Sequence, residues 1–597
     1  MIRKLIDWKW HGGLLLVIAL TCFNVFNKLA SAERSGYYSI VAKSMSLSWS
    51  NFFFGSLDPS GIISIDKIPG SYWLPALLVR FFGFHNKTVV APNGIAVVLA
   101  IVVMAYAARR VGGALVGLLT ALLVASTPIV VAVARSNQPE GFFILSIAIS
   151  TFLIVTALKL ESRRHLILAG LAIGLAFQSY MIVAWALWPA LAAAWMLTAK
   201  PIFSRLKDLA IAGTVSAISS LLWIFIVWLI PATNRPYIGN TLHNNPWEMV
   251  FGYNALGRFA GASHMSGISK GTLASFKTFT PPFAGHPGLL RFFYHQNIGQ
   301  ISWLLISALI AFVYLWKMNK HRKLNTFLGL WLVTDFVMFS SVAGMHQFYT
   351  ATMSFPMAII VAMALRDSWQ NRHEVWFGAI VASAFGMALI VAHENPSYLA
   401  LLPLAQTALG LIAMVIWRLH ASGRFWKVSS AIAAISGLCL TPLVWTMDAQ
   451  RHPSFTNPIA GPSETYRSHQ LHTGVGISHG QVIHFLKTHS KGSKYLLAAF
   501  GVDAAAPYIL QSDRPVLALG GFSGADPAPT LEGFENLVHA GAVKYVLLNH
   551  FQGDALGFNF WEASKIKKWV KLNCNRDYRA PSNIPLWICS NSTRRNY

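Results

Sequence analysis

Long apolar runs dominate roughly the first 450 positions of the chain, and short polar loops separate them. An apolar helix of about 20 residues is long enough to cross the roughly 30 Å of hydrocarbon in a bilayer. The pattern therefore predicts a mainly α-helical, polytopic transmembrane bundle. We predict about thirteen spans, at residues 10–28, 93–108, 112–134, 141–158, 166–181, 183–199, 209–230, 301–316, 325–343, 350–365, 376–392, 398–417 and 428–447.

Two long polar loops, about residues 29–92 and 231–300, interrupt the apolar runs, and a polar tail follows them. We predict two domains: a transmembrane module over 1–447, which carries both loops, and a small α/β domain over 448–597. Alternation of short apolar strands with a helical stretch is typical of such a domain. The strands are predicted at Tyr495–Phe500, Val516–Leu519 and Tyr545–Leu548, and a helix at Thr530–Ala540.

Basic residues concentrate in every second short loop, and the short loops between them carry only Arg135. Lys and Arg are enriched in cytoplasmic loops of membrane proteins. We therefore expect a multi-pass protein of the cell (inner or plasma) membrane with a cytoplasmic N-terminus. The two long loops and the tail then lie outside the cytoplasm.

The composition agrees with a membrane protein, since 54% of the residues are hydrophobic and only 12% are charged. A soluble domain carries about 25% charged residues. The net charge of +25 is explained by cytoplasmic loops that face anionic lipid. We expect no nucleic-acid partner, because no basic run is interleaved with exposed aromatic residues.

The cysteines fall into two pairs. Cys22 and Cys439 lie within spans and are expected to be buried apolar residues. Cys574 and Cys589 both lie in the outer tail, where an oxidising compartment would allow a disulfide. Two free thiols are the alternative, and no Cys/His cluster has zinc spacing.

Ionisable residues within the spans would indicate a transporter, but Asp335 is the clearest example and stands almost alone. The acids cluster instead in the outer loops. This distribution favours chemistry at the extracytoplasmic membrane surface over passage through the bundle. Gly520, Gly521 and Gly524 follow a strand without nucleotide-loop spacing, so we interpret them as a structural turn.

Several polar motifs in the outer loops and the tail occur in a consistent order. They are Tyr37-Tyr38, Ser48-Trp49 through Asp58-Pro59, Asp66-Lys67 with Pro69, Arg135-Ser136-Asn137 with Pro139-Glu140, Arg235 through Gly239, Gly252-Tyr253-Asn254 with Gly257-Arg258, His346 with Tyr349, and Gly520-Gly521 with Asp526-Pro527. Together they resemble the family 39-type glycosyltransferases of the GT-C superfamily, in particular the bacterial YkcB-like mannosyltransferases. That superfamily includes protein O-mannosyltransferases and aminoarabinose transferases that act on lipid A.

The resemblance implies an integral membrane glycosyltransferase that moves one sugar from a polyprenyl-phosphate donor to an acceptor hydroxyl, with inversion. The expected partners are the lipid-linked sugar, membrane lipid, and a glycan, lipid or protein acceptor. No cofactor is required by the motifs, although a divalent metal ion is compatible with the acids. A carboxylate that takes the hydroxyl proton would accelerate transfer by about 10²–10⁴.

The resemblance also assigns roles to individual residues. Asp66 is a candidate base or organiser, Glu33 is a second candidate base, and Glu140, at a helix start, would orient the acceptor or the first acid. The family usually places an Asp shortly before the Tyr38 position, where this chain has Arg34. Candidate phosphate clamps are Lys67, Arg135 and Arg258, and further substrate contacts are expected from Tyr38, Asn137, Arg235, Tyr253, Asn254 and His346.

Each assignment has a structural alternative. Asp66-Lys67 could be a solvated ion pair, Glu140 a helix-start charge and Asp58-Pro59 a turn. Arg235 and Arg258 could serve topology or lipid headgroups. At the level of the whole protein the alternatives are a transporter or flippase of lipid-linked sugars, a surface-glycan polymerase or ligase, and an inactive relative whose tail binds a partner.

Overall fold

The structure, a computed structural model, describes residues 2–31, 34–259, 283–395, 401–419, 423–449, 457–462, 479–522, 524–549, 561–581 and 584–589. The chain divides into two compact units. We call Met1–Glu33, Val90–Leu221 and Thr280–His469 the helical unit, and Arg34–Val89, Leu222–Phe279 and Gln470–Tyr597 the composite unit. The composite unit joins the tail to segments of both long loops, which the sequence had assigned to the first 447 residues.

Helices account for most of the described residues. In chain order they are α1 (Ile2–Phe26), α2 (Gly36–Leu47), α3 (Trp49–Phe54), α4 (Gly70–Phe82), α5 (Asn86–Val89), α6 (Ala91–Ala125), α7 (Pro128–Ala134), α8 (Glu140–Leu160), α9 (Arg163–Tyr180), α10 (Leu187–Trp195), α11 (Ile202–Leu229), α12 (Gly257–Phe259), α13 (His295–Ile301), α14 (Leu305–Lys317), α15 (Arg322–Ser341), α16 (Ser354–Gln370), α17 (Glu374–His393), α18 (Leu402–Leu419), α19 (Arg424–Asp448), α20 (His479–His489), α21 (Val502–Gln511), α22 (Leu531–His539) and α23 (Glu562–Asn573). A π-helix spans Glu248–Leu256, and 3₁₀ turns include Met181–Ala186 and Gln347–Met353.

Ten helical stretches in the described residues are long and apolar enough to cross a membrane, compared with the thirteen that we predicted. Asn86–Ala125 combines two predicted spans in 40 residues, which would extend about 60 Å as one straight helix. Gly113 interrupts it with φ 77° and ψ −172°. Arg163–Trp195 combines two more predicted spans, with a break at Met181, where φ is 51°. The predicted span 398–417 is the shorter apolar helix Leu402–Ile416.

Asp335 is buried within α15, and its Oδ2 has no hydrogen-bond partner among the described residues. The prediction of a mainly helical, polytopic membrane protein is confirmed.

The tail contains a five-stranded sheet, β1 (Ala498–Phe500), β2 (Leu517–Leu519), β3 (Tyr545–Leu547), β4 (Asn575–Arg576) and β5 (Leu586–Ile588), in the order β2-β1-β3-β5-β4. Strands β2, β1 and β3 are parallel, and β5 joins β3 and β4 in antiparallel fashion. The predicted small α/β domain is thus confirmed. Strands β1, β2 and β3 lie within their predicted segments, whereas β4 and β5 were not predicted.

Successive side chains of a strand point to opposite faces of a sheet, so the sheet separates two apolar cores. Ala498 and Phe500 pack with α22 and α23 on one face. On the other face, Leu497 and Ala499 belong to a core that also contains residues of α20, α21 and α2, the first helix of the composite unit. The segment that precedes Asp66 is therefore built into the same core as the tail domain.

The predicted disulfide is present between Cys574 and Cys589. It links the end of α23 to the residue that follows β5. Cys22 and Cys439 are free thiols; Cys439 is buried as expected, whereas the prediction was wrong for Cys22, which is half-buried.

Candidate active site

The Asp66 loop is held in place by pairing between the two long polar loops. The backbone N–H of Ser64 donates to the carbonyl of Tyr237 at 2.8 Å, and the N–H of Tyr237 donates to the carbonyl of Ile62 at 2.8 Å. Gly239 lies so close to this strand-like segment that a Cβ there would be 2.5 Å from the carbonyl oxygen of Ser64. The close approach sets the backbone directly before Asp66.

Asp66 is 3% exposed and accepts hydrogen bonds from three side chains. The hydroxyl of Tyr37 donates to its Oδ1 at 2.9 Å, and Nζ of Lys67 lies 2.7 Å from the same oxygen. The side-chain amide of Asn240 donates to Oδ2 at 3.3 Å. An ionised carboxylate offers about four acceptor sites, so these donors leave room for one more hydrogen bond.

Burial by itself would raise the pKa of Asp66, because it disfavours the charged form. The Lys67 ammonium, the Tyr37 hydroxyl and the Arg258 guanidinium outweigh this effect and hold the pKa of Asp66 below its usual value. The carboxylate is therefore ionised at neutral pH. The solvated ion pair that we considered is not what the structure contains, since Lys67 is also buried, with 8% exposure.

A π-helical segment and the short helix α12 after it carry three further predicted residues near Asp66. The side-chain amide of Asn254 donates to the backbone carbonyls of Asp66 at 2.7 Å and of Met249 at 2.9 Å. Arg258 donates to Oδ1 of Asn254 at 3.4 Å and lies over the Tyr253 ring, 5.1 Å from its centroid. π-Helical turns are uncommon and often occur at functional sites.

Aromatic rings surround the Lys67 ammonium. Its Nζ lies 5.4 Å from the centroid of the Tyr38 ring and 5.9 Å from that of Tyr37. Tyr38 in turn stacks on Tyr72 at 5.3 Å between centroids. Cation–π contacts of this kind stabilise a desolvated ammonium. We call Tyr37, Tyr38, Asp66, Lys67, Asn240, Tyr253, Asn254 and Arg258 the Asp66 cluster.

Three residues at this site, Tyr37, Asn240 and Asp526, were not among the predicted site residues. Asn240 donates through its side chain to Asp66 and through its backbone N–H to Oδ1 of Asp526, at 2.8 Å. Tyr37 and Asp526 lie within motifs that carried the resemblance, and Asn240 directly follows one. Their place within or next to these motifs was the available signal, but no spacing rule connects them to Asp66.

Arg235, a predicted substrate contact, is engaged within its own loop. Its guanidinium donates to the Asn244 side chain at 2.7 Å and to the Asn244 carbonyl at 2.7 Å. The same Asn244 side chain accepts from the backbone N–H of Ile238 at 2.9 Å. The geometry favours a role for Arg235 in shaping the loop that carries Asn240.

Asp58 forms a turn, as its structural alternative proposed. Its carboxylate accepts backbone hydrogen bonds from Ser60 at 2.8 Å, Ile62 at 2.9 Å and Ile63 at 3.0 Å. Burial nevertheless raises the pKa of Asp58 to about 6, against the lowering effect of these bonds.

Glu33 lies outside the described residues. The neighbouring Arg34, which occupies the usual Asp position of the family, contacts the Asn86 side chain and lies 4.9 Å from the centroid of the Phe84 ring. That position therefore carries a packed cation in this chain.

The remaining predicted residues belong to the helical unit. Glu140 is 2% exposed at the first position of α8, where it lies near the positive end of the helix dipole. Gly141 next to it would place a Cβ 2.7 Å from the Asn93 side chain, so Asn93 packs directly against the start of α8. Asn137 is buried in the loop before it.

Arg135 is also buried, and it caps α1. Its Nη1 donates to the carbonyls of Asn24 at 3.1 Å, Val25 at 2.7 Å and Asn27 at 2.8 Å. The last carbonyls of a helix lack intrahelical partners, so this arrangement satisfies groups that would otherwise be buried without donors. The geometry favours a structural role over a phosphate clamp.

His346 lies between two stacked rings, Phe283 at 4.7 Å and Phe348 at 4.6 Å, and its Nδ1 is 3.0 Å from Oδ1 of Asn457. Tyr349 contacts both His346 and Tyr180, and Tyr180 contacts Phe143 in the first turn of α8. A continuous chain of rings thus connects His346 to the helix start that carries Glu140. Within the described ranges, no three His, Cys, Asp or Glu residues are grouped as metal ligands.

Comparisons with known proteins agree with this picture. The model "Dolichyl-phosphate-mannose-protein mannosyltransferase" matches residues 66–230, and "Putative mannosyltransferase YkcB-like, C-terminal" matches residues 482–573. "Putative mannosyltransferase YkcB" of Bacillus subtilis (strain 168) is 27% identical over 94% of this chain and 90% of its own length. "Putative mannosyltransferase YycA" of the same strain is 24% identical over 95% and 94%.

Two solved structures share the fold. ArnT from Cupriavidus metallidurans bound to undecaprenyl phosphate has a TM-score of 0.53 and 16% identity, over 90% of this chain and 92% of that one. The Archaeoglobus fulgidus oligosaccharyltransferase has a TM-score of 0.50 and 14% identity, over 90% and 69%. The predicted GT-C resemblance is confirmed.

Proposed function

Since the chain is a membrane glycosyltransferase of the GT-C type, we propose that it transfers a single sugar from a polyprenyl-phosphate donor to an acceptor hydroxyl. The observation that carries the proposal is the Asp66 cluster, a buried carboxylate beside a buried ammonium, with Arg258 nearby. The undecaprenyl phosphate bound by the structurally similar ArnT supports a lipid phosphate as the leaving group.

In this proposal Asp66 is the general base. The acceptor oxygen forms a bond to the anomeric carbon, its proton passes to the Asp66 carboxylate, and the bond from the anomeric carbon to the phosphate oxygen breaks. The polyprenyl phosphate leaves with the electron pair of that bond. Attack from the side opposite the phosphate inverts the anomeric centre.

Lys67 connects donor binding to base strength. An ion pair with Lys67 keeps the Asp66 carboxylate ionised, but the same ion pair makes it a weak base, because base strength falls as the pKa falls. A donor phosphate that attracts the Lys67 ammonium would weaken this pair. The pKa of Asp66 would then rise, so the base becomes stronger when the donor is in place.

We propose that transfer takes place at the extracytoplasmic membrane surface of the cell membrane. The distribution of basic loops supports this orientation. The Cys574–Cys589 disulfide in the tail supports an oxidising compartment for the composite unit.

The deciding experiment is incubation of the full-length protein in detergent with a panel of polyprenyl-phosphate sugars and candidate acceptors, followed by mass spectrometry. We expect one donor class to be consumed, with free polyprenyl phosphate and a product heavier by one sugar. Transfer of a whole oligosaccharide would indicate a polymerase or ligase. Movement of intact donor between the leaflets of proteoliposomes, without product, would indicate a flippase.

A further inference from the structure

Asp526 is a buried acid of the tail domain that reaches the Asp66 cluster from a distant part of the sequence. It follows β2, at the carboxyl end of the parallel strands, where polar site residues of α/β sheets commonly lie. It is 2% exposed. Its Oδ1 accepts the backbone N–H of Asn240 at 2.8 Å.

Asn240 adopts a left-handed conformation with φ 54°. Such a conformation is uncommon for residues other than glycine, although Asn tolerates it better than most. In this conformation the backbone N–H of Asn240 donates to Asp526, and its side-chain amide donates to Oδ2 of Asp66, 3.3 Å away. Asp526 and Asp66 are therefore linked through a single residue.

The second oxygen of Asp526 is not used by the packing of the domain. Its Oδ2 is buried and has no hydrogen-bond partner among the described residues. The turn before it is shaped to admit this oxygen, since a Cβ on Gly521, where φ is 64°, would be 2.1 Å from Oδ2. A buried polar atom without a partner is costly, and a purely structural residue at this place would be expected to be apolar.

We propose that Asp526 is a positioning residue for Asp66: by fixing the backbone of Asn240 it aims the Asn240 amide at the catalytic carboxylate. The tail domain thereby supplies a part of the active site. This inference rests on the proposed function, since it takes Asp66 as the group whose ionisation governs transfer.

Electrostatics support different roles for Asp66 and Asp526. Burial, together with the negative charges of Asp66 and Glu248, raises the pKa of Asp526 well above its usual value. The pKa values of the two acids are thus shifted in opposite directions, Asp526 upward and Asp66 downward, as expected for two carboxyl groups in one buried site. Asp526 accepts the Asn240 N–H, while Lys67 pairs with Asp66.

The test compares four variants of the full-length protein: Asp526→Ala, Asp526→Asn, Asn240→Gly and, as a control, Asp513→Ala. Asp513 is an acid of the same domain whose side chain is 98% exposed. Asp526→Asn keeps a neutral acceptor of the same shape, and Asn240→Gly keeps the backbone N–H but removes the amide that reaches Asp66. For each variant, kcat and KM for the donor are measured from pH 3 to pH 8.

The groups that set the titration of Asp66 are Lys67, Arg258 and Tyr37, with Asp526 beyond Asn240. Loss of the Asn240 amide removes a hydrogen bond that favours the ionised form. We therefore expect Asp526→Ala and Asn240→Gly each to move the acid limb of kcat upward by about one pH unit and to lower kcat about tenfold at neutral pH. Donor KM should stay the same, since Lys67 is untouched.

Asp526→Asn and Asp513→Ala should retain the wild-type profile, and the double variant Asp526→Ala/Asn240→Gly should be no worse than either single variant. An Asp526→Asn variant as impaired as Asp526→Ala would overturn the proposal. So would an unmoved acid limb in Asn240→Gly, which decides the question even where Asp526→Ala does not fold. Asp66→Asn is run in parallel: full transfer by that variant overturns the proposed function itself, whereas loss of transfer with no shift in Asn240→Gly overturns only the role of Asp526.

Discussion

The ammonium of Lys67 lies 2.7 Å from the carboxylate of Asp66, its neighbour in the sequence, and both side chains are buried. Adjacent residues of an extended segment usually point in opposite directions. Here the chain turns into α4 directly after Lys67, through Pro69, and both side chains face one site. A single dipeptide thus contributes both the proposed base and the proposed phosphate clamp.

Replacement of Asp66 by Asn should abolish sugar transfer while the protein still inserts and folds. The amide cannot take a proton from the acceptor hydroxyl, so we expect a loss of about 10²–10⁴ in kcat. Product formation by mass spectrometry measures this loss, with Asp513→Asn as an exposed control in the same unit. Full transfer in both Asp66→Asn and Glu140→Gln would show that the site lies elsewhere.

Replacement of Lys67 by Ala should raise the donor KM far more than replacement of Lys87, an exposed lysine in α5. Lys67 also lowers the pKa of Asp66, so its loss should move the acid limb of the pH profile upward. In the wild type, activity should fall only as the pH drops through the lowered pKa of Asp66. Equal donor KM in the two alanine variants would argue against a phosphate clamp at Lys67.

Replacement of Asp58 by Ala should destabilise the protein without changing kcat per folded molecule. The variant loses three backbone hydrogen bonds to the buried carboxylate. Each backbone N–H left without an acceptor lowers the free energy of unfolding by up to about 3 kcal/mol. Because the pKa of Asp58 is raised to about 6, its contribution to stability is complete at acid pH and decreases as the pH rises through 6. The gap in thermal midpoint between the two proteins should therefore be widest near pH 4, and a gap that widens toward pH 7 would contradict this account.

Replacement of Arg135 by Ala should lower the thermal midpoint, because the three carbonyls at the end of α1 lose their donor. We expect a loss of about 1–3 kcal/mol with donor KM unchanged. Arg164→Ala, at an exposed position in α9, is the matched control. A higher donor KM with an unchanged midpoint would instead restore Arg135 as a phosphate clamp.

Much of this protein could be predicted from the sequence because the deciding interactions are local or compositional. Runs of apolar residues specify spans wherever they occur, and the short apolar runs near Ala498, Leu517 and Tyr545 predicted the parallel strands of the tail sheet. The sequence predicted the boundary between the spans 93–108 and 112–134 close to Gly113. The backbone conformation of Gly113 that divides Asn86–Ala125 is visible only in the structure. Asp66, Lys67, Asn254 and Arg258 were found because they lie in motifs.

Only the tertiary structure decided how these pieces combine. Asn240 contacts Asp66, 174 positions away in the sequence, and Asp526, 286 positions away. Such contacts depend on tertiary packing and on the left-handed φ of Asn240, which no local sequence pattern predicts. The structure likewise shows that Arg135 donates to carbonyls at the end of α1 and that Arg235 donates to Asn244. From the sequence alone, each of these loop cations could equally well bind a phosphate. The sequence lists the charged residues. Burial and hydrogen-bond geometry determine which of them stabilise the fold and which lie at the candidate active site.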